Sequence, residues 1–261
     1  MRPVLIQFGD FGIPSFWATA FAGFVAAFFV VRAEVLRRGH SAELAYDIVL
    51  YAYVGGWVGA RLFLIPTAWG IFLNDPIGFL LSGSGWVWYG GLIGGAIAMW
   101  VLSERRGISM LEFCDISAPA LAIGLAFGRI GCQLSGDGDY GVATDLPWGM
   151  SYPDGVVPTL ERVHPAPIYE MLACFAIFAY LWRYRWQQPA AGDLFGRYLI
   201  LSGITRFLIE CIRRNPAWIF GLTTAQAISI GMVGLGILMV RRASSAQVGR
   251  SVETEEQPAA T

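Results

Sequence analysis

An arginine followed by glycines and aspartates forms the most unusual stretch of this sequence. Residues 128–141 read Gly-Arg-Ile-Gly-Cys-Gln-Leu-Ser-Gly-Asp-Gly-Asp-Tyr-Gly and follow a long apolar segment. The guanidinium of Arg129 can bind phosphate oxygens with two parallel hydrogen bonds, and the backbone N–H groups of a glycine turn can add to such a site. Arg129 could instead reach lipid headgroups as a snorkelling side chain, but that role requires neither the glycines nor the aspartates. The stretch therefore predicts an anion site at the end of a helix.

Three further charged residues share one face of a later apolar segment. Arg206, Glu210 and Arg213 are spaced by four and then three residues, which places side chains on the same face of a helix. Their neighbours are apolar, and charged side chains within a membrane helix usually face a cavity or a partner. We therefore expect a cavity in which Glu210 orients one arginine and leaves another available for a ligand. Structural ion pairs between helices are the alternative.

A histidine and a glutamate open another apolar segment. His164 stands six residues before Glu170. A histidine there could serve as a general base near neutral pH. It could equally be a hydrogen-bonding group at the start of a helix, and the sequence favours neither role.

Two glycine-rich segments carry further polar residues. Arg61 follows Gly55-Gly56 and Gly59-Ala60, and because small residues allow close helix packing, structural pairing and anion binding are equally compatible with it. Tyr89 precedes a run of glycines in which Gly91 and Gly95 form a pair typical of helix packing. Tyr89 itself fits an aromatic belt at a membrane interface.

The composition is that of an integral membrane protein. Hydrophobic residues make up 56% of the 261 residues and charged residues only 14%, compared with about 25% charged residues in soluble domains. The net charge of −1 implies no polyanionic partner, so binding of nucleic acid is not expected. The four cysteines have neither the spacing of a disulfide framework nor that of a zinc site. No metal and no cofactor is predicted.

Seven apolar segments are long enough to cross a membrane as helices, which requires about 20 residues. They are predicted at about 15–31, 46–66, 86–103, 113–131, 166–184, 194–212 and 222–240. The sequence thus predicts an all-α membrane protein with seven transmembrane helices in a single domain over residues 1–242. A small external cap is expected at about 133–163, between the fourth and fifth helices, and a polar, disordered tail at 243–261.

The arginines predict the orientation of these helices. The loops after the first, third, fifth and seventh segments are rich in arginine, whereas the loop after the fourth is acidic. Because cytoplasmic loops carry the excess of Lys and Arg, we expect the N-terminus outside and the C-terminal tail in the cytoplasm. Arg213 and Arg214 break the rule, since they fall on the outside. This orientation brings Arg61, Arg129 and Arg206 to the outer side of the membrane.

Together these residues resemble the bacterial prolipoprotein diacylglyceryl transferase family. The resemblance covers nearly the whole chain and is carried by an ordered set of motifs. These are Gly-Ala-Arg61-Leu-Phe, Gly90-Gly91-Leu92-Ile93-Gly94, Asp115 with Pro119, Gly128-Arg129-Ile130-Gly131, Gly136, Asp137 and Gly141, His164-Pro165 with Ile168-Tyr169-Glu170, Arg206-Phe207-Leu208-Ile209-Glu210 with Arg213, and Gln226 with Ser229. The family has seven transmembrane helices and an external N-terminus, in agreement with the orientation that the arginines predict.

The resemblance implies an activity. Members of the family transfer the diacylglyceryl group of phosphatidylglycerol to the lipobox cysteine thiol of a prolipoprotein signal peptide, forming a thioether and releasing glycerol phosphate. For this chain it implies an enzyme of the bacterial cytoplasmic (inner) membrane whose active site faces the outer leaflet. Its partners would be phosphatidylglycerol, prolipoprotein signal peptides and membrane lipid.

The resemblance also implies the residues of the site. Arg129 and Arg206 would clamp the phosphate. Glu170 and Glu210 would orient these arginines, and Asp137 would shape the glycine loop. The candidate catalytic residues are Arg129, Arg206, His164, Asp137 and Tyr89. The candidate substrate-binding residues are Arg61, Gly91, Gly131, Gly136, Gly141, Glu170, Glu210 and Arg213.

The chain departs from the family pattern at several polar side chains. Most members have histidine at the position of Tyr89, asparagine at those of Cys132 and Ser135, and glutamate at that of Asp137. That histidine is often proposed as the base, and a phenol ionises little near neutral pH. His164, Asp137 or acidification of the thiol by nearby guanidinium groups could take its place.

Two other functions stay open. A divergent paralogue could move another lipid group, and a non-enzymatic transporter could use the same residues to bind an anion or a lipid. A transporter is expected to show internal repeats and helices broken near the membrane midplane. The polar residues of this chain are instead expected at the outer ends of its helices.

Overall fold

The computed structural model describes residues 1–9, 11–81, 88–187, 189–216 and 221–256, which are mostly helical. In chain order the helices are α1 (Ser15–Arg37), α2 (Ala42–Leu62), α3 (Trp69–Asn74), α4 (Pro76–Leu81), α5 (Trp88–Arg106), α6 (Met110–Ser135), α7 (Ala166–Tyr184), α8 (Asp193–Glu210) and α9 (Thr224–Glu256). Two short antiparallel hairpins accompany them, β1 (Val4–Phe8) with β2 (Phe11–Pro14) and β3 (Met150–Tyr152) with β4 (Thr159–Val163).

The seven apolar segments predicted from the sequence each coincide largely with a helix. They correspond to α1, α2, α5, α6, α7, α8 and α9. Residues 86 and 87, where the third segment was predicted to begin, lie outside the described residues. Within the described part of the chain, α1, α6 and the Thr224–Ser245 part of α9 are long and apolar enough to cross a membrane. The chain has the character of a multi-pass membrane protein, and the seven spans and their orientation stay a prediction.

The last helix is longer than the sequence predicted. α9 continues to Glu256 and so covers most of the tail for which disorder was expected. The residues after Arg242 include alanine, glutamine and glutamate, which tolerate a helical backbone. Residues 257–261 lie outside the described residues.

The chain folds into two compact units. The first unit contains Met1–Val30 and Cys114–Thr261, and the second contains Val31–Phe113. The first therefore holds most of α6 with α7, α8 and α9, and the second holds α2 to α5. The single domain predicted over residues 1–242 stays a prediction.

In the first unit, α8 is held by a buried aspartate and by close packing on α9. Asp115, on α6, accepts hydrogen bonds from the N–H groups of Gly192 and Phe195, both at 2.8 Å. A helix start leaves such donors without an intrahelical partner. A Cβ on Gly203 would lie 2.9 Å from the carbonyl oxygen of Ser229 on α9. These interactions define the position of α8, whose last turns carry two residues of the candidate site.

The apolar core of the first unit lies where α6, α7 and α8 meet. Its buried side chains are Ala118, Ala122, Ile177, Leu181 and Leu194. A smaller cluster of Tyr140, Tyr152 and Val163 attaches the β3–β4 hairpin to the loop after α6. The segment predicted as an external cap therefore has a packed core of its own, and its two strands were not predicted.

In the second unit, α2 and α5 cross at glycines. A Cβ on Gly55 would lie 2.7 Å from the carbonyl oxygen of Gly94, and a Cβ on Gly59 would lie 2.7 Å from the Cα atom of that glycine. A Cβ on Gly91 would meet its nearest atom at 3.4 Å, which is an ordinary contact. The closest approaches involve the carbonyl oxygen of Gly90 and a Cβ on Gly94, rather than the Gly91–Gly95 pair that the sequence pattern suggested.

Candidate active site

Six charged side chains of the first unit form a closed ring of ion pairs, which we call the ion-pair ring. In order around the ring they are Arg129, Glu170, Arg206, Glu210, Arg213 and Asp139. Arginines and carboxylates alternate, so the three positive and three negative charges balance. A buried charge is tolerated when it is paired in this way.

Glu170 connects the arginines of α6 and α8. Its Oε2 lies 2.7 Å from Nε of Arg129, and its Oε1 accepts a hydrogen bond of 2.9 Å from Nη1 of Arg206. Only 6% of the Glu170 side chain is exposed. The residue lies near the start of α7, which follows Pro165, so the helix start positions one carboxylate between two guanidinium groups. These contacts fit the orienting role predicted for Glu170.

Glu210, the last residue of α8, joins Arg206 to Arg213. Its Oε2 lies 2.8 Å from Nη2 of Arg206 and 3.8 Å from Nε of Arg213. Its Oε1 accepts a hydrogen bond of 2.7 Å from Nδ2 of Asn215. Arg206 and Glu210 lie on one face of α8, as predicted, whereas Arg213 lies on the loop after the helix and not on its face. Asn215 is an additional partner that the sequence pattern did not suggest.

Asp139 closes the ring and was not among the predicted site residues. Its Oδ1 accepts a hydrogen bond of 2.5 Å from Nη2 of Arg213, and its Oδ2 accepts one from Nη1 of Arg129. Burial alone would raise the pKa of this carboxyl, but the hydrogen bond from Arg213 and the charges of both arginines outweigh it and lower the pKa of Asp139. Asp137 lies beside it and accepts a hydrogen bond of 3.2 Å from the Asp139 N–H, which fits the loop-shaping role predicted for Asp137.

Backbone hydrogen bonds hold the loops of Asp139 and Arg213 side by side. The N–H of Gly141 donates to the carbonyl of His164, and the N–H of Val142 donates to that of Ile212, both at 2.8 Å. Gly141 also forms an isolated β-bridge with Arg213. A Cβ on Gly141 would lie 2.6 Å from the carbonyl oxygen of Ile212 and 2.9 Å from Cβ of His164. The close approach of the three segments therefore requires glycine at this position.

Comparison with known proteins agrees with the resemblance that the motifs indicated. The model of the prolipoprotein diacylglyceryl transferase family matches residues 3–242. The chain belongs to this family. The phosphatidylglycerol–prolipoprotein diacylglyceryl transferase of Clostridium tetani is 29% identical over 92% of this chain and 96% of its own length. That of Oleidesulfovibrio alaskensis is 32% identical over 97% of both chains, and transferase 2 of Clostridium perfringens is 31% identical over 92% and 94%.

In this member of the transferase family, Gly131 near the end of α6 and Gly136 in the loop after it serve packing. A Cβ on Gly131 would lie 3.1 Å from the backbone of α1, and one on Gly136 would lie 2.7 Å from the Cα atom of Gly155. Gly136 also has a φ of +61°, which favours glycine. Its N–H donates to the carbonyl of Cys132 at 2.9 Å, and the N–H of Gly141 is likewise engaged. The expectation of exposed N–H groups for an anion is therefore wrong at Gly136 and Gly141.

His164 lies beside the loops of the ring, and its side chain contacts a tyrosine. Its Nδ1 lies 3.3 Å from the hydroxyl oxygen of Tyr169, which accepts a hydrogen bond of 2.8 Å from Nε1 of Trp148. With its ring proton on Nε2, His164 accepts the Tyr169 hydroxyl proton at Nδ1, and with its ring proton on Nδ1 it donates to the hydroxyl oxygen. The base role of His164 stays a prediction.

The second unit holds the other three predicted site residues. Tyr89 is 46% exposed on α5, and Arg61 is fully buried near the end of α2. A Cβ added at Gly91 would make ordinary van der Waals contacts with Gly56 and Ala60 of α2. A contribution of these three residues to the same site as the ion-pair ring stays a prediction.

One group of potential metal ligands adjoins the ring. Ligand atoms of Cys132, Asp137 and Asp139 lie within 4.8 Å of one another. Both oxygens of Asp139 already accept hydrogen bonds from arginines, and Nη1 of Arg129 lies 3.6 Å from Sγ of Cys132. A guanidinium at this distance repels a cation, so the surroundings favour an anion.

Proposed function

We propose that this chain transfers the diacylglyceryl group of phosphatidylglycerol to the lipobox cysteine thiol of prolipoproteins, forming a thioether and releasing glycerol phosphate. Membership of the family over residues 3–242 supports this reaction, and the named activity of its relatives specifies the donor and the acceptor. The ion-pair ring is the observation that carries the proposal for this chain. It brings Arg129 together with Arg206 and Arg213, which lie far from it in the sequence.

The ring supplies the hydrogen-bond donors that a phosphodiester needs. Guanidinium groups match the spacing of phosphate oxygens and bind them in pairs. Nη1 of Arg213 is buried and has no hydrogen-bond partner among the residues that the structure describes. Leaving such a donor unsatisfied costs about 1–3 kcal/mol, and a phosphate oxygen would satisfy it.

In the proposed reaction, negative charge develops on the phosphate of the lipid as its bond to the glycerol carbon breaks. The cysteine sulfur forms a bond to the glycerol carbon, and the bond between that carbon and its phosphate oxygen breaks. The electron pair of the broken bond stays on the phosphate, which leaves with the headgroup glycerol, and the thiol proton passes to a base. Arginines already fixed by Glu170 and Glu210 would stabilise the growing phosphate charge without reorganisation.

The thiol proton needs an acceptor near the ring. The charges of the ring balance, so the arginines acidify a thiol less than unpaired guanidinium groups would. We assign the proton transfer to the Tyr169–His164 pair, in which Tyr169 takes the thiol proton while its own proton moves to Nδ1. His164→Asn and Tyr169→Phe should then both lower kcat, and an unchanged kcat in either variant excludes the relay.

We infer that the ring works in the outer leaflet of the bacterial cytoplasmic membrane. The apolar helices support insertion into a membrane, and the arginine-rich loops support an external N-terminus. The packed segment between α6 and α7 would then cover the outer mouth of the site.

Mass spectrometry of a lipobox-cysteine peptide tests the proposed function. After incubation with this protein and phosphatidylglycerol, the peptide should gain one diacylglyceryl mass, and glycerol phosphate should appear. Arg129→Lys and Arg206→Ala should each lower kcat by about 10²–10³, the usual effect of losing one electrostatic contact to a transition state. No gain in mass with the unmodified chain overturns the proposal and favours a paralogue that moves another group.

The matched control is Arg214→Lys. Arg214 neighbours the ring in sequence, pairs with Glu161 at 2.9 Å and is largely exposed, so kcat should stay close to that of the unmodified chain. If Arg129→Lys and Arg206→Ala also retain that rate, the arginines of the ring do not bind the phosphate.

A further inference from the structure

Asp139 differs from the other two carboxylates of the ion-pair ring. Its side chain is 30% exposed, compared with 6% for Glu170 and 1% for Glu210. Glu170 and Glu210 lie on helices, whereas Asp139 lies on a loop after Gly138, which has a φ of +94°. Rotation of one side chain is therefore enough to move the Asp139 carboxylate out of the ring, and the helices need not move.

The contacts of Asp139 are those that a phosphodiester would make. Its two oxygens bind two different guanidinium groups, one on Arg129 and one on Arg213. A phosphodiester likewise has one negative charge and two non-bridging oxygens. Exchange of the Asp139 carboxylate for a phosphodiester leaves the net charge of the ring unchanged. Displacement of Glu170 or Glu210 would instead leave buried charges without their partner, which is strongly destabilising.

We propose that Asp139 is an internal competitor for the substrate phosphate. Its carboxylate bridges Arg129 and Arg213 between turnovers, is displaced by the phosphodiester of the lipid, and returns to displace the product. This inference rests on the proposed function, because it takes the ring as the phosphate site.

A competitor such as Asp139 would speed release of the product. The reaction converts a phosphodiester with one charge into a phosphate monoester, whose second ionisation has a pKa of about 6. The product therefore carries more negative charge than the substrate at neutral pH and would bind three arginines more tightly. A resident carboxylate that competes for two of them weakens the binding of product and leaves the fixed pairs at Glu170 and Glu210 intact.

Asp139→Asn is the decisive variant, since it removes the charge and keeps the size. The inhibition constant for added glycerol phosphate should fall about tenfold, the effect of losing one charge-assisted hydrogen bond. The KM for phosphatidylglycerol should fall as well, while kcat falls or stays unchanged because product leaves more slowly. A purely structural Asp139 predicts the reverse, with weaker binding of both ligands.

Two further variants separate the competitor from a general effect of charge. Asp139→Glu restores a carboxylate and should return the inhibition constant towards that of the unmodified chain. Glu161→Gln removes an exposed carboxylate that pairs with Arg214, so it makes the same change in net charge and should leave the inhibition constant unchanged. If Glu161→Gln tightens product binding as much as Asp139→Asn, the effect is one of net charge and the inference is overturned.

The outcomes separate this inference from the proposed function. If the unmodified chain transfers no diacylglyceryl group, the proposed function is overturned. An active unmodified chain whose Asp139→Asn variant has an unchanged or raised inhibition constant overturns the competitor alone. If Asp139→Asn is too unstable for kinetics, the rise in its melting temperature on addition of glycerol phosphate is measured instead, and a rise no larger than that of the unmodified chain overturns it too.

Discussion

At the scale of single residues, Arg129 and Arg206 of the ion-pair ring are oriented before any phosphate binds. Glu170 fixes Arg129 and Arg206 together, and Glu210 fixes Arg206 a second time. Because these dipoles and charges are already aligned, the protein need not reorganise as charge develops in the transition state. The carboxylates therefore contribute to catalysis through the arginines that they hold.

Removal of the Glu170 charge should damage both stability and activity. Glu170→Gln leaves two largely buried arginines without their shared counter-charge, which costs about 3–5 kcal/mol in comparable buried pairs. The melting temperature in detergent should fall clearly, and kcat should fall with it. An unchanged melting temperature would show that Glu170 does not compensate these charges, and Glu161→Gln is the control for loss of an exposed carboxylate.

The lowered pKa of Asp139 predicts a dependence of stability on pH. A carboxyl group whose pKa is lower in the folded state than in the unfolded state stabilises the fold above its unfolded pKa, about 4 for aspartate. This contribution is lost as the pH falls through the folded pKa of Asp139. The difference in melting temperature between the unmodified chain and Asp139→Asn should stay constant from pH 7 to about pH 4 and shrink below it. A difference that already shrinks between about pH 7 and pH 5 would contradict the lowered pKa.

At the scale of elements, the ring lies where several elements end. Arg129 lies in the last turns of α6, Glu170 in the first turns of α7, and Glu210 at the end of α8. Asp139 and Arg213 lie on loops that backbone hydrogen bonds hold together beside β4. The helices α7 and α8 thus supply the buried carboxylates of Glu170 and Glu210. The loops supply Asp139 and Arg213, the ion pair that separates in the proposed exchange with phosphate.

Gly141→Ala should disturb the ring through the backbone alone. The added Cβ would meet the carbonyl oxygen of Ile212 at 2.6 Å, so the segments must separate and Arg213, which is bridged to Gly141, must move away from the other two arginines of the ring. We expect a lower melting temperature and a raised KM for phosphatidylglycerol. The matched control is Gly234→Ala on α9, where a Cβ would meet no atom within 4 Å and stability should be unchanged or slightly raised. Equal effects of the two substitutions would contradict the packing role of Gly141.

At the scale of the whole molecule, the proposed function requires a defined orientation in the membrane. The predicted topology places the segment between α6 and α7 outside and the end of α9 in the cytoplasm. Among the described residues, the three helices with clear spanning character do not by themselves distinguish this orientation from its inverse.

Thiol labelling in intact cells tests that orientation. In a background lacking the native cysteines, Asp154→Cys in the cap and Ser245→Cys in α9 each introduce one exposed thiol. A membrane-impermeant maleimide should modify residue 154 in intact cells and residue 245 only after permeabilisation. The opposite pattern would place the cap in the cytoplasm and contradict a site in the outer leaflet.

Much of the fold could be predicted from the sequence because apolar length and helix-breaking residues are local signals. The seven apolar segments became helices, and the observed bounds differ from the predicted ones mainly at the helix ends, as in α9, where a polar sequence still tolerates a helical backbone. The β3–β4 hairpin was missed because its short strands are stabilised by Tyr140, Tyr152 and Val163, which come together only in the folded chain.

The sequence alone determined the family, the arginines and the expectation of an anion site, because charged residues within apolar helices are costly and are read directly from the chain. The folded structure decided which carboxylate each arginine meets. Asp137 and Asp139 have the same chemistry and stand two residues apart, yet it is Asp139 that bridges Arg129 and Arg213. That choice depends on a loop held by Gly141 against Ile212 and His164, and contacts between residues so distant in sequence are set by tertiary packing.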